Sequence, residues 1–351
     1  MDRMILFESD YNEGACPEIL KRLTETNLEQ TPGYGEDVYS RRAAALLREK
    51  CRREDADVYF LAGGTQTNLT LISAALRPHQ GAISAASGHI NVHEAGAVEA
   101  TGHKVLTIPS ADGKLDAAEI QTFIDSFYGD GTHTHMVQPK LVYISQPTEL
   151  GTVYTLAELE ALSAVCRRNH LYLYLDGARL GYALAAGGDI PDLPAIASLT
   201  DAFYFGGTKI GALFGEALLI LNEDLKADFT YIMKQKGAVM AKGRIAGISF
   251  LTLFENDLYL RYCRHAVHEA LRIRSAIEQL GYPFLMESRT NQQFPILPDN
   301  VLKMLEGSFT YSIIARTDDT HTAVRFCTSW ATDAIAVDSL ITALQKAAKS
   351  L

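Results

Sequence analysis

The chain has 351 residues, 47% of them hydrophobic and 21% charged, with a formal net charge of −10. Such a length builds a substantial core and typically more than one domain, in the composition range of ordinary soluble globular proteins. The acidic balance argues against a general nucleic-acid or anionic-membrane surface, and no apolar run reaches the roughly 18 residues of a membrane span.

The start, Met1-Asp2-Arg3-Met4, is followed by Glu8 and Asp10 and does not resemble a signal peptide. Pro17–Glu29 reads as a first helix, before the turn-rich loop Thr31–Glu36. Val38–Arg53, dense in Ala, Leu, Arg and Glu, reads as a second. The apolar run Asp57–Leu61 stops at Gly63-Gly64, and Thr65 is placed to cap a helix from Gln66 to Arg77. A strand follows near Ala82–Ala85, a helix near Glu94–Thr101, and a strand at Lys104–Ile108. Leu115–Phe127 reads as a helix, Lys140–Ser145 as a buried strand, and Leu156–Arg168 as a helix. Leu171–Leu175 is a strand ending on Asp176, and Ala202–Phe205 one ending on Gly206-Gly207. This alternation predicts an α/β domain with a largely parallel sheet flanked by helices. Ligands gather beyond the carboxyl ends of such strands, which singles out Gly64-Thr65, Asp176 and Gly206–Lys209.

From about Asn256 the pattern changes. A long helix, Asp257–Leu280, precedes weak strands near Gln293–Pro295 and Tyr311–Ala315, a clearer strand at Thr322–Cys327, and a closing helix at Val337–Lys349. This reads as a small C-terminal α+β domain, 251–351, after a large domain, 1–250, with the boundary between roughly 245 and 260. Residues 1–50 can belong to the large domain, join the small one, or form an interface. The five cysteines, Cys16, Cys51, Cys166, Cys263 and Cys327, include no CxxC pair. They read as reduced thiols in a cytoplasmic protein, without a disulfide framework or zinc cluster.

Lys209 stands in Phe203-Tyr-Phe-Gly-Gly-Thr-Lys-Ile-Gly-Ala-Leu-Phe214, with no other charged group between Asp201 and Glu216. Desolvation there disfavours the ammonium, and a free amine is what Schiff-base formation with an aldehyde requires. A surface lysine on a glycine turn is the plain alternative. Asp176, closing a buried strand, can hold a pyridine nitrogen protonated, and Arg179 offers a planar fork to a carboxylate or phosphate. A helix cap and a local ion pair explain the same two residues. Gly63-Gly64-Thr65 is a natural phosphate seat, although it matches neither the P-loop pattern nor GxGxxG. His89 and His93 have the spacing of a metal pair, but the order of HExxH is absent. Neither His133/His135 nor His265/His268 brings further ligands, so no metal site is assigned. No GxSxG segment is present.

Taken in order, a glycine-threonine turn, a histidine, a strand-end Asp with its Arg, and the lysine make a set. The sequence resembles the L-threonine aldolase family of fold-type I pyridoxal-phosphate enzymes, and within it the phenylserine-aldolase-like branch. The segments that carry the resemblance are Ser9–Gly14, Gly64-Thr-Gln-Thr-Asn68, Gly88-His-Ile-Asn-Val-His-Glu-Ala-Gly96, Leu175-Asp-Gly-Ala-Arg179, Gly206-Gly-Thr-Lys-Ile-Gly211 and Val324–Trp330. It implies pyridoxal 5'-phosphate in Schiff-base linkage to Lys209, with Asp176 on the ring nitrogen, His89 stacked on the ring, and Gly64 and Thr65 on the phosphate. It implies that Arg179, Arg325 and Ser9 receive the substrate carboxylate. Lys236, Lys242 and Arg244 become candidates to reach a neighbouring subunit's cofactor, in a homodimer or homotetramer with shared sites. Many threonine aldolases carry a histidine where this chain has Glu149, in Pro147-Thr-Glu-Leu-Gly151, which puts threonine in doubt as the preferred substrate. The implied reaction is cleavage of an L-β-hydroxy-α-amino acid to glycine and an aldehyde. A β-eliminating lyase, an aminotransferase and a non-catalytic binding protein on the same fold are the alternatives.

Overall fold

A computed structural model describes residues 4–350; the first three residues, part of the segment read above against a signal peptide, lie outside it. Its centre is a seven-stranded sheet in the order Asp57–Leu61, Glu216–Ile220, Ala202–Gly206, Tyr172–Asp176, Gln138–Ser145, Gln80–Ala85, Lys104–Ile108. Glu216–Ile220 runs antiparallel to both its neighbours, and the rest of the sheet is parallel. Alternate side chains of each inner strand enter opposite layers, as the two-residue period of a strand dictates. Val142, Ile144, Leu173, Leu175, Phe203 and Phe205 join one apolar cluster, while Leu141, Tyr143, Tyr174 and Tyr204 join the other.

That alternation also builds the site. Asp176 follows Tyr174 by two residues and so shares its face, with Tyr143 paired to Tyr174 on one adjacent strand and Tyr204 on the other. The strand-end carboxylate is therefore surrounded by phenol hydroxyls on the tyrosine-bearing side of the sheet.

Two readings of the sequence need correction around the turns that follow the strands. The Gly64–Ala75 helix is capped by Gly63, with extended backbone and no side-chain cap, so Thr65 is its second residue and not its cap. The helix expected near Glu94–Thr101 is instead a short turn of helix at His89–Val92 followed by a 3₁₀ turn at Glu99–Thr101. Ala95 and Gly96 lie between them at φ 50° and 72°, in the left-handed region that no helix tolerates.

The C-terminal part carries four short antiparallel strands, Gln292–Gln293, Ile296–Pro298, Ser312–Arg316 and His321–Cys327. Ile5–Leu6 crosses over to pair in parallel with Phe309–Thr310. The Leu258–Gln279 helix serves both halves. Leu258, Cys263 and Val267 pack into the large core, and Ile273 and Ile277 into the C-terminal one beside Phe7, Leu297, Phe326 and Leu344. All five cysteines are buried and free. Among the described residues no helix is long and apolar enough to cross a membrane.

Candidate active site

At the carboxyl ends of the parallel strands lies a cavity of about 320 Å³, lined among others by Gly64, Thr65, His89, Glu149, Asp176, Arg179 and Lys209. These residues come from five separate segments of the chain.

Asp176 is 4% exposed and fully hydrogen-bonded. Oδ2 accepts the Tyr143 hydroxyl at 2.6 Å and the Asn68 amide at 3.0 Å, and Oδ1 accepts the Tyr204 hydroxyl at 2.5 Å and the Ala178 N–H at 2.9 Å. Burial alone would raise this carboxyl. The His89 charge and the donated bonds from Tyr143, Tyr204 and Ala178 outweigh it and hold Asp176 below the ordinary carboxylate value. It is thus an anion poised to keep a proton on a partner.

His89 is set from behind. Its Nδ1 meets Glu94 Oε1 at 2.8 Å, and the same oxygen accepts the Asn68 amide at 2.7 Å. Asn68 in turn accepts the Tyr174 hydroxyl at 2.8 Å. Burial would lower His89, but the Glu94 bond and the Asp176 charge raise it above its ordinary value. His93, 5.5 Å away ring to ring, is lowered by burial and by the His89 charge.

Lys209 sits in a 3₁₀ turn, Thr208–Ile210, immediately after the Ala202–Gly206 strand. Burial and the nearby Arg179 push its ammonium down, against the pull of Asp10, Asp176 and Glu216. Its Nζ is 6.0 Å from the centre of the Tyr11 ring. Glu149 hangs over the other side of the cavity. Its Oε1 accepts the Ser145 hydroxyl at 2.7 Å and the His89 N–H at 3.0 Å, and burial raises its carboxyl above the ordinary value.

Arg179 is held by Asp10 through two parallel bonds, Nε to Oδ2 at 2.7 Å and Nη2 to Oδ1 at 2.9 Å. Asn291 adds a bond to Asp10 Oδ2 at 2.9 Å. Although burial opposes it, the charges of Arg179 and Lys209 bring Asp10 down to about 2. Arg179 therefore has Nη1 left for a ligand.

The remaining predicted residues stand outside the cavity lining. Arg325 donates to Glu8 O at 2.8 Å and to Gln292 at 3.1 Å, with its Nε buried and without a partner; its charge still reaches His93. The Ser9 hydroxyl donates to Asn12 at 2.8 Å. Lys242 and Arg244 line a different groove with Glu29 and Thr31, where Arg244 donates to the carbonyls of Glu29 and Thr26. Lys236 is half-buried and takes part through its carbonyl, which accepts from Gln66 at 3.5 Å.

Sequence reasoning missed Asp10, Asn68, Glu94, Tyr143, Tyr204 and Glu216. The tyrosines and Asn68 carried a usable signal, since a polar atom on a buried strand or helix face needs a partner. Glu216 carried none, because strand pairing brings it in, and Asp10 stood unread inside the Ser9–Gly14 segment.

The arrangement fits an aromatic aldehyde bearing an anionic tail. Lys209 offers an amine, Asp176 an anion for a ring nitrogen and His89 a flat imidazole. The Gly64–Ala75 helix offers an N-terminus that no side chain caps. A Cβ added at Gly63 would meet nothing, so the approach to that helix end is open.

The chain matches the Beta-eliminating lyase family over residues 7–299. It is 32% identical to the low specificity L-threonine aldolase of Pseudomonas aeruginosa over 93% of each chain. It is equally similar, at 32%, to the enzyme of that name from a Pseudomonas species, over 97% of this chain and 96% of the other. The solved threonine aldolase of Leishmania major superposes with a TM-score of 0.95 at 43% identity, covering 98% of this chain and 99% of that one. The chain belongs to the beta-eliminating lyase family, alongside the low-specificity L-threonine aldolases.

Proposed function

We propose that this protein is a pyridoxal-phosphate-dependent aldolase that cleaves the Cα–Cβ bond of L-β-hydroxy-α-amino acids, giving glycine and an aldehyde. The observation that carries it is the convergence of Lys209, Asp176, His89 and Arg179 on one cavity in a chain so similar to threonine aldolases. Lys209 would carry the cofactor, Asp176 would hold the ring-nitrogen proton, His89 would cover the ring, and Gly64 and Thr65 would seat the phosphate. When bound, the cofactor supplies a protonated ring that accepts the electron pair released at Cα.

The chain's own residues do the rest. Arg179, through Nη1, and Arg325, together with Ser9, would orient the substrate carboxylate and so fix which bond at Cα is broken. Glu149 takes the β-hydroxyl proton. Ser145 and the His89 N–H hold its Oε1, which leaves Oε2 to face the substrate. Loss of that proton turns the hydroxyl into the carbonyl of the departing aldehyde, and a proton returned to Cα completes glycine. His89, whose Nδ1 is engaged by Glu94, keeps its other nitrogen toward the cavity as a second proton carrier.

Two finer features belong to this reading. The protein works in the cytoplasm, supported by its buried free thiols. It is a homodimer or homotetramer whose subunits lend Lys236, Lys242 or Arg244 to each other's cofactor, a reading that rests on the family resemblance of the segment carrying these residues. Light scattering of the purified protein decides the second.

The deciding assay offers L-threonine, L-allo-threonine and L-phenylserine to the purified, cofactor-loaded protein. Glycine and the matching aldehyde in equal amounts are the expected products. Pyruvate with ammonia, or turnover that depends on an added 2-oxo acid, would overturn the aldolase reading in favour of elimination or transamination.

A further inference from the structure

The cavity contains a carboxylate for which the proposed reaction has no task. Glu216 opens the one reversed strand of the sheet and is 4% exposed. Along the chain it lies just beyond the apolar segment that isolates Lys209. The antiparallel pairing of Gly206 with Glu216 brings it back beside that lysine's turn.

There its two oxygens are divided between two donors. Oε2 accepts the Gly207 N–H at 2.9 Å, and Oε1 accepts the Thr208 hydroxyl at 2.9 Å. The Thr208 oxygen accepts the Gly215 N–H at 2.9 Å, closing the loop between the strands. On its far side the turn is fixed by the Tyr182 hydroxyl, which donates to Lys209 O at 2.6 Å. The residues on both sides of the Lys209 amide are thus tied.

A carboxylate is an expensive means of tying a buried turn, since an amide of the same shape bonds there with no charge to desolvate. What the carboxylate adds is a charge that can be present or absent. Burial pushes Glu216 up to about 8, with the Gly207 and Thr208 bonds and the Lys209 charge resisting. Asp10, Asp176 and Arg179 also face Lys209, with His89 across the cavity and the Tyr11 ring above. Asp176 and the phenols of Tyr174, Tyr204 and Tyr259 face Glu216. Asp10 and Asp176 lie below the ordinary carboxylate value and the three phenols well above the ordinary tyrosine value. Near neutrality they keep one charge state, and so does the Arg179 guanidinium. Beside the lysine, Glu216 is the group free to change; across the cavity, His89 and Glu149 also titrate.

We propose that Glu216 is the positioning residue of Lys209: it fixes the Gly207–Lys209 turn through its two hydrogen bonds, and when it is ionised its charge favours a proton on the lysine nitrogen. This rests on Lys209 being the cofactor lysine, and the test separates the two claims. The visible absorbance of the cofactor-loaded enzyme is followed against pH in the wild type, Glu216→Gln and Glu216→Asp. Glu216→Gln keeps the shape of the side chain and removes the charge, so the midpoint of the absorbance change is expected to fall by about one pH unit. Glu216→Asp keeps the charge and is expected to restore most of that shift. The pH profile of kcat should move in the same direction, while KM changes less than about twofold. A Glu216→Gln protein that binds cofactor and melts like the wild type, yet shows an unmoved midpoint, overturns the proposal. A wild type with no visible cofactor band overturns the proposed function instead.

Discussion

Lys209 and Glu149 divide the chemistry between them, and their burial makes each unlike its free counterpart. Desolvation favours the neutral amine of Lys209, the form that attacks an aldehyde carbon. Lys209→Ala is expected to lose the visible cofactor band and at least about 10³-fold in turnover with little change in melting temperature. A variant that keeps both band and turnover would remove the lysine from the mechanism. For Glu149 the sign follows from its raised carboxyl: a base must be ionised, so activity falls as the pH drops through a value above the ordinary glutamate range. Glu149→Gln should lower kcat by about 10²-fold, flatten that acid limb and leave KM nearly unchanged. A steep loss confined to KM would instead make Glu149 a binding group. Lys209 and Asp176 were legible because each is an ionisable group in an apolar or strand-end setting, whereas Glu149 stood out only through the family resemblance. Asn68 and Glu94, which set His89 and Asp176 from behind, lay unread inside motifs quoted for other residues.

The strand-to-turn junctions that present these residues depend on close backbone approach. Gly206 donates its N–H to Gly177 O at 2.8 Å, so the ends of two neighbouring strands nearly touch. A Cβ on Gly177 would lie 1.8 Å from Tyr204 O, and one on Gly206 2.1 Å from Ala178 O. Neither obstacle is a movable side chain. Gly177→Ala and Gly206→Ala are each expected to cost about 3 kcal/mol in urea unfolding and to weaken cofactor retention. Gly129→Ala is the control, since a Cβ there meets nothing, and it should be neutral or slightly stabilising. At this scale the parallel strands were readable, because buried strands appear as short apolar runs between turn signals. The reversed strand was not. The sequence reading places no strand at Glu216-Ala-Leu-Leu-Ile220, and nothing in such an apolar run states the direction in which it will pair. The short helices Leu180–Ala186, Leu193–Leu199 and Phe229–Gln235 escaped for a related reason, each being about two turns long and lacking room for a clear period.

The whole molecule is fastened at Asp10, which in the sequence is only one residue of the Ser9–Gly14 segment. It comes from the N-terminal segment, binds Arg179 at the head of the helix after the Asp176 strand, and accepts from Asn291 beside the C-terminal sheet. Three parts of the chain, more than a hundred residues apart in sequence, therefore meet on one carboxylate. Asp10 is 0% exposed and is held at about 2 against its ordinary value of 3.8. Because the folded value is depressed, its contribution to stability is complete above the unfolded value and is lost as pH falls through the folded one. Linkage puts that contribution on the order of 2 kcal/mol, disappearing between about pH 4 and pH 2. Asp10→Asn removes the pH-dependent term and also leaves the Arg179 guanidinium buried without its counter-charge, which typically costs about 3–5 kcal/mol. Urea melts at pH 7 should therefore show the variant markedly less stable, and the gap to the wild type should narrow as the pH approaches 2. A gap of constant size across that range would mean that Asp10 acts through its shape and hydrogen bonds alone. Since Arg179 is also proposed to hold the substrate carboxylate, the same variant should raise KM for amino-acid substrates more than it lowers kcat.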